Sequence, residues 1–288
     1  MARDGEPLLR KIAREVLGDE LGSRVWKRIE IIGDIAVIRK PFDLDPESLR
    51  PVAEELLKRL SYIKSVWLAI TPVEGTHRVR QYVHLAGEKR SETVYREHGC
   101  SFMLDITRVY ISPVLGYDHM RIAKMVRDGE KVLNMFAGIG GYSIVLSRHA
   151  RPSYVLSIDI NPDAVRYLRI NIELNRVGDR NEVVLGDALK IVSSLRREFD
   201  RVLMPLPELW REALVVALDA VKMGGYIHPH LFVDADRKRE AFDRAIEMVS
   251  RVLKEKKIRF DVMGGHVIRS VGPRRYHVTL DIAVIGVE

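Results

Sequence analysis

The chain of 288 residues contains one cysteine, Cys100, and one glutamine, Gln81. A lone cysteine excludes an internal disulfide and any cysteine-based metal site, and it fits a reducing cytoplasm. So little glutamine beside abundant Arg and Glu points to a thermophilic, archaeal type of composition. There is no charged leader followed by an apolar stretch. No apolar run approaches the ~18 residues of a membrane span, so secretion and membrane spanning are not expected. Internal repeats and low-complexity segments are also lacking. What is present is an ordinary globular balance, 47% apolar and 30% charged, in a chain long enough for two domains. The 47 Lys and Arg against 40 Asp and Glu leave a net charge of +7, with a pI near 9.4. That charge suits a polyanionic partner such as nucleic acid.

The chain is organised around residues 131–161, KVLNMFAGIGGYSIVLSRHARPSYVLSIDIN. An apolar strand (132–135) runs into a small-residue turn, Phe136-Ala137-Gly138-Ile139-Gly140-Gly141. A helical pattern and a second strand (154–158) follow, ending on Asp159. Strand, glycine turn, helix, strand and acid make a nucleotide-binding βαβ unit, in which glycines admit a ligand to the backbone and the helix start offers free N–H donors. The acid, about 20 residues after the first glycine, suits a ribose diol. A dinucleotide fingerprint would need a third glycine where Ser143 stands. The spacing therefore predicts an adenosine ligand without a pyrophosphate, S-adenosylmethionine first.

Before this unit the pattern is mixed. A helix is expected over 1–20, a hairpin over 25–39 turning at Gly33-Asp34, a helix from Asp45 to about Leu60, β-rich segments at 64–70, 79–85, 92–96 and 101–111, and a short helix from Met120 to Val126. After it, strands and helices alternate. A helix starts at Asn161-Pro162. Strands end at Asp187 and at Met204, a helix spans 210–221, a strand 226–232, a charged helix 236–256, and two β runs (258–268 and 276–287) close the chain. The expected fold class is α/β: a Rossmann-like, mainly parallel sheet with an antiparallel last pair at 116–288, preceded by a smaller α+β domain at 1–115.

Open α/β sheets bind ligands at the carboxyl ends of their strands. Those ends are Phe136 to Gly141, Asp159, Asp187 and the turn Met204-Pro205-Leu206-Pro207-Glu208. The cofactor site is expected to comprise Phe136, Ala137, Gly138, Gly140, Asp159, Ile160, Asp187, Ala188 and Pro205. Asp159 would take the ribose hydroxyls and Asp187 would accept from the adenine amine. His228 and His230 alternate on a strand with no third ligand nearby, so no metal site is expected.

The stretches RVRQYVHLAGEKR (78–90), LDITRVYISPVLGYDHMRIAKMV (104–126), VLNMFAGIGGYSI (132–144), IDINPDAVRYLRINIELN (158–175) and GGYIHPH (224–230) resemble the archaeal and eukaryotic tRNA guanosine-37 N1-methyltransferase family, with its wyosine-pathway relatives. The resemblance covers roughly residues 25–288. It implies a class I methyltransferase domain, S-adenosylmethionine as cofactor and tRNA as partner, in a cytoplasmic enzyme expected to be monomeric. At this length the chain is not expected to hold the separate small domain that usually begins the family's members.

By the family's motif, Arg78 matches the arginine that stabilises charge on guanine O6, Tyr110 the base-pocket tyrosine, Asp118 the carboxylate acting as general base on N1–H, and Pro207 the proline of an Asn-Leu-Pro turn. Four positions depart from the pattern: Val114, His119, Pro205 and Asn134. Three lie at the expected base pocket, which leaves open a tricyclic wyosine intermediate as acceptor, by methyl or aminocarboxypropyl transfer. A non-catalytic RNA-binding homologue and an NAD-dependent oxidoreductase are more distant alternatives.

In the guanosine reading a carboxylate removes the N1 proton as the methyl moves, and a cation stabilises the charge that builds on O6. The base must be unpaired, as in an anticodon loop. RNA contacts are expected from Arg80, Lys89, Arg90, His119, Arg274 and Arg275, with further phosphate contacts from Arg96 and Arg269. Residues 251–288 carry eight Lys and Arg against four Asp and Glu.

Overall fold

The computed structural model describes residues 5–41, 44–73 and 75–287. The first four residues of the expected N-terminal helix lie outside these. The chain divides into two compact units, Met1–Arg96 with Ser101–Tyr110, and Glu97–Cys100 with Ile111–Glu288.

The first unit opens with α1 (Leu8–Arg24), followed by β1 (Glu30–Ile32), β2 (Ile35–Arg39), α2 (Arg50–Arg59), β3 (Ser65–Ala69) and β4 (Tyr82–Gly87). The strands form a sheet in the order β1-β2-β3-β4. Leu9, Ile12 and Ala13 of α1 and Val52, Ala53 and Leu56 of α2 recur at helical spacing, and they are buried in one cluster with Ala36, Ile38, Val66 and Leu68 of the sheet. The helix expected from Asp45 begins as a 3-10 turn, Pro46–Leu49, capped by the Asp45 side chain. Pro51 lacks an N–H and restarts the chain as α2. A hairpin follows, β5 (Glu92–Glu97) and β6 (Cys100–Asp105), its tip Glu97–Cys100 counted with the second unit. Its two-residue turn, His98-Gly99, has φ of 50° and 73°, as right-twisted strands require.

The second unit contains α3 (Gly116–Met125), β7 (Lys131–Asn134), α4 (Gly141–His149), β8 (Tyr154–Asp159), α5 (Pro162–Leu174), β9 (Asn181–Leu185), α6 (Ala188–Val192), β10 (Phe199–Met204), α7 (Trp210–Ala220), β11 (Val221–Asp234), α8 (Lys238–Glu255), β12 (Ile258–Gly272) and β13 (Arg275–Val287). They form a seven-stranded sheet in the order β12-β13-β11-β10-β7-β8-β9. Pairing is parallel from β11 through β9, and antiparallel where β13 lies between β11 and β12. The predicted architecture is thus the observed one. Two elements run longer than their patterns. Gly224, at φ 81°, does not stop α7; it lies in a register shift inside β11. Gly265 lets β12 run unbroken, because a Cβ there would stand 2.2 Å from the Thr279 carbonyl oxygen.

The largest apolar cluster includes Ala213, Leu214 and Ala217 of α7, Ala241, Ala245 and Val249 of α8, and Val202, Ile227 and Ile282 of the sheet. The rung Ser157–Asn134–Leu203–His228 is largely polar instead. There Asn134 Nδ2 donates to Ser143 Oγ of α4 at 3.0 Å, and the Ser157 hydroxyl meets Ser143 at 2.7 Å. The functional groups gather on this polar side.

Candidate active site

The cofactor edge is built by strand ends. Asp159 Oδ2 accepts the Gly138 N–H at 2.7 Å and Oδ1 accepts the Asn161 N–H at 2.9 Å. The acid therefore shapes the glycine turn from both of its oxygens. Gly138 has φ 55°, and a Cβ there would meet nothing within 4 Å, so the backbone faces open space where a ligand comes close. Gly140 has φ 101° and opens α4. Asp187 caps α6 by accepting from the Leu189 N–H at 3.0 Å through one oxygen. Phe136, Ala137, Ile160 and Ala188 immediately follow the strands or their acids, and Pro205 follows β10. All stand at one carboxyl edge. These residues fit S-adenosylmethionine: two acids for the ribose and adenine, and a glycine turn open to a ligand that has no pyrophosphate.

Beside this edge runs a continuous buried polar chain. Glu130 accepts from Arg201 Nε and Nη2 at 2.9 and 3.1 Å, and Arg201 lies over the Tyr226 ring. Arg201 Nη1 donates to His228 Nε2 at 2.7 Å, and His228 Nδ1 lies 2.7 Å from Asp281. Arg121 joins Asp281 to Asp118, donating through Nε to Asp118 Oδ1 at 2.7 Å. The Tyr142 hydroxyl donates to Asp118 Oδ2 and lies 3.2 Å from His230 Nε2, while His230 Nδ1 meets His277 Nε2 at 3.0 Å. Charged side chains are fully buried only when paired, and here each has its counterpart.

Asp118, the expected general base, sits inside this chain. Burial works to raise its pKa, but the hydrogen bond and charge of His230, the Arg121 guanidinium and the Tyr142 hydroxyl outweigh it and hold the carboxyl well below the usual carboxylate range. Both of its oxygens are engaged in the protein, Oδ1 by Arg121 and Oδ2 by Tyr142. Asp281 is pulled down to about 2: burial opposes this, but His228 and Arg121 prevail.

Other expected residues are placed as follows. In the first unit the Arg78 guanidinium lies over the Tyr110 ring, 4.7 Å from its centroid. Pro207 is buried and opens the 3-10 turn after β10. Three of the six expected RNA contacts are otherwise engaged. Arg80 pairs with Glu30 at 3.2 Å. Arg90 is held by Asp34 and Glu88. His119 is buried, 2.6 Å from Glu97 and edge-on to Tyr142. Lys89 is exposed, and Arg274 and Arg275 reach solvent at the β12–β13 tip.

Sequence reasoning missed Glu130, Arg201, Asp281, Tyr142 and His266. The available signal was a charge inside each of two apolar strand runs, Arg201 (beside Asp200) in FDRVLM and Asp281 in VTLDIAVI. Among the described residues there is no cluster fit for a metal ion and no helix long and apolar enough to cross a membrane.

Residues 93–262 match the family model described as the TRM5/TYW2 methyltransferase domain, and residues 9–90 match the TYW2 N-terminal domain. The chain is 44% identical over 258 residues to the tRNA 4-demethylwyosine(37)-methyltransferase Taw21 of Saccharolobus solfataricus, covering 90% of this chain and 94% of that one. It is 36% identical to the tRNA (guanine(37)-N(1))-methyltransferase Trm5b of Pyrococcus abyssi, covering 88% and 74%. Among solved structures, the complex of aTrm5 and tRNALeu superposes with a TM-score of 0.83 at 31% identity, covering 99% of this chain and 80% of that one. The sequence, the sheet order and the cofactor edge agree: this chain belongs to the TRM5/TYW2 family, S-adenosylmethionine-dependent methyltransferases acting at position 37 of tRNA.

Proposed function

We propose that this enzyme methylates a tricyclic wyosine-type base at position 37 of tRNA rather than N1 of guanosine. The observation that carries this reading is the 44% identity along nearly the whole length of a 4-demethylwyosine methyltransferase, against 36% to a guanine-N1 methyltransferase.

The residues at the site support the same reading. Where the guanosine enzymes' motif has an asparagine, this chain has Pro205, the residue after β10. An amide side chain rejects the wrong base by hydrogen bonding; a proline ring supplies only apolar surface, which suits the edge of a third ring. Guanosine N1 also demands a free base for its proton, and both Asp118 oxygens are already held, by Arg121 and Tyr142.

S-adenosylmethionine supplies a methyl group already activated by its sulfonium. The protein's part is to align donor and acceptor and to keep water out. Asp159 and Asp187 hold the nucleoside half, the glycine turn lets it approach, and the proline turn 205–207 borders the acceptor.

The test uses labelled S-adenosylmethionine with two tRNAs, an unmodified transcript carrying guanosine 37 and a tRNA carrying 4-demethylwyosine. Nucleoside mass spectrometry reads the product. A methyl mass gained only on the tricyclic nucleoside is expected. N1-methylguanosine alone would overturn the reading, and an aminocarboxypropyl mass would move the enzyme to the other transfer.

A further inference from the structure

His266 stands on β12 beside the site and has no part in the chemistry assigned so far. Its register is informative. Met204, the last residue of β10, pairs with Pro229, and the next residue of β11, His230, pairs with Thr279, which pairs with His266. His230, Thr279 and His266 therefore form a rung at the carboxyl edge of the sheet, level with Pro205. Three adjacent strands at about 4.8 Å each span ~10 Å, the scale of a fused tricyclic base.

The ring of His266 has two different sides. Nδ1 is buried, has no hydrogen-bond partner and faces Asp118 Oδ1 at 3.6 Å. The side chain as a whole is 26% exposed, so the ring is not sealed off from a ligand. Tyr117, itself exposed, meets the ring edge-on with centroids 5.4 Å apart. A histidine with a buried carboxylate behind one nitrogen and access at the other has the layout of an acid–base catalyst oriented by its carboxylate. Such contacts are often long without substrate and shorten in the reacting complex.

We infer that His266, backed by Asp118, is the proton acceptor of the methyl transfer. The inference rests on the tricyclic-base reading for the identity of the acceptor only. The acceptor atom forms its bond to the methyl carbon as the methyl–sulfur bond breaks, and that electron pair stays on sulfur, leaving a neutral thioether. The ring proton of the acceptor atom passes to Nε2 of His266. The imidazolium so formed carries the positive charge that the sulfonium lost, and Asp118 stabilises it through Nδ1–H.

The other groups around the ring favour a neutral ground state. Burial lowers the His266 pKa below 6.5; Asp118 and Asp281 act to raise it, and Arg121 and His230 to lower it. A neutral imidazole with its proton on Nδ1 is ready to accept at Nε2. Asp118 then serves as a positioning residue, itself held in place by Arg121 and the Tyr142 hydroxyl.

The test compares wild type, H266Q and H266A in single-turnover methyl transfer with both substrates saturating, across pH. We expect H266Q to lower the rate about 100-fold, as loss of a general base does, with tRNA and cofactor dissociation constants within about threefold of wild type. The acid limb of the wild-type pH profile disappears in H266Q, and added imidazole restores part of the H266A rate. H266Q keeping that limb, or a loss confined to KM, overturns the proposal. The substrate is whichever of the two tRNAs the wild type methylates, so a failed acceptor assignment is seen separately in the wild-type product. A substrate-free arm follows the His266 imidazole by NMR titration. Its pKa falls in D118N if the pair is coupled, and an unchanged value also overturns the proposal.

Discussion

Arg201 donates to Nε2 of His228 at 2.7 Å, which fixes that imidazole as neutral with its proton on Nδ1, facing Asp281 at 2.7 Å. The arginine cannot give up its charge, so a second positive charge on His228 would be placed against it in a fully buried site. Burial and Arg201 lower the His228 pKa from 6.5, while Asp281 opposes them.

A pH dependence of stability follows. Unfolded, His228 takes a proton near pH 6.5; folded, it resists until lower pH. The native state is unpenalised above 6.5 and loses stability as pH falls from there towards the folded value. Asp281 and Asp118 are depressed carboxylates. Their stabilisation is present above the ordinary value of 3.8 and is lost as pH falls through the folded values, near 2 for Asp281. Calorimetric melts stepped downward in pH should show two declines, the first of them shallower in H228N. A flat profile between neutral pH and about 5 would remove His228 from this role.

The Glu130–Arg201 pair sets a second expectation. Replacing Arg201 with Met leaves Glu130 buried without its cation, which costs about 3–5 kcal/mol, whereas replacing both partners by apolar residues recovers much of it. Urea unfolding of R201M, E130M and the double variant measures the coupling. Equal stability of R201M and wild type would refute the account.

The mainly parallel sheet and its antiparallel last pair were legible because they rest on local signals. Apolar runs end in Gly138, Asp159, Asp187 and Pro205, and each end is marked by the residue that binds or turns there. The polar chain was not legible. Asp118 reads as an acid at a helix start, and its Arg121 partner is one helical turn away. Tyr142, His230, His266 and Asp281, however, come from elements up to 163 residues further on, and only the folded sheet brings them together. Whether a carboxylate is a base or a fixed counter-charge depends on those partners. His119 shows the same limit: a polar residue beside a functional one read as an RNA contact, yet it is buried between Glu97 and Tyr142.

Asp159→Ala should weaken S-adenosylmethionine binding. The change removes the proposed ribose acceptor and also the clamp on the Gly138 and Asn161 N–H groups. A hydrogen bond to a charged group contributes about 1.5–3 kcal/mol, so the dissociation constant should rise roughly 10- to 100-fold. Isothermal titration calorimetry reads it. An unchanged constant would take Asp159 out of the cofactor site.

Gly140→Ala tests the turn itself. The residue has φ 101°, and an added Cβ would stand 2.5 Å from Leu168 Cδ1 and 2.7 Å from Ile144 Cδ1. Strain of this kind costs about 1–3 kcal/mol. Thermal unfolding should show the loss, together with weaker cofactor binding from a displaced α4 start. Wild-type stability would mean that the turn adapts at no cost.

Lys89, Arg274 and Arg275 are the expected RNA contacts that remain exposed. Arg274 and Arg275 stand at the β12–β13 tip with side chains 79% and 54% exposed, and their nearest acids, Asp236 at 3.5 Å and Asp234 at 4.0 Å, hold them weakly. Phosphate neutralisation releases counterions, so each contact steepens the salt dependence of binding by about 0.7 to 0.9 in the log–log slope. Filter binding of tRNA across a salt series should therefore give a slope shallower by about 1.5 in the R274A/R275A double variant. Arg80 and Arg90 spend their charge on Glu30 and Asp34 inside the first unit, so R80A should act on stability rather than on the slope. A double variant with the wild-type slope would place the RNA elsewhere on the surface.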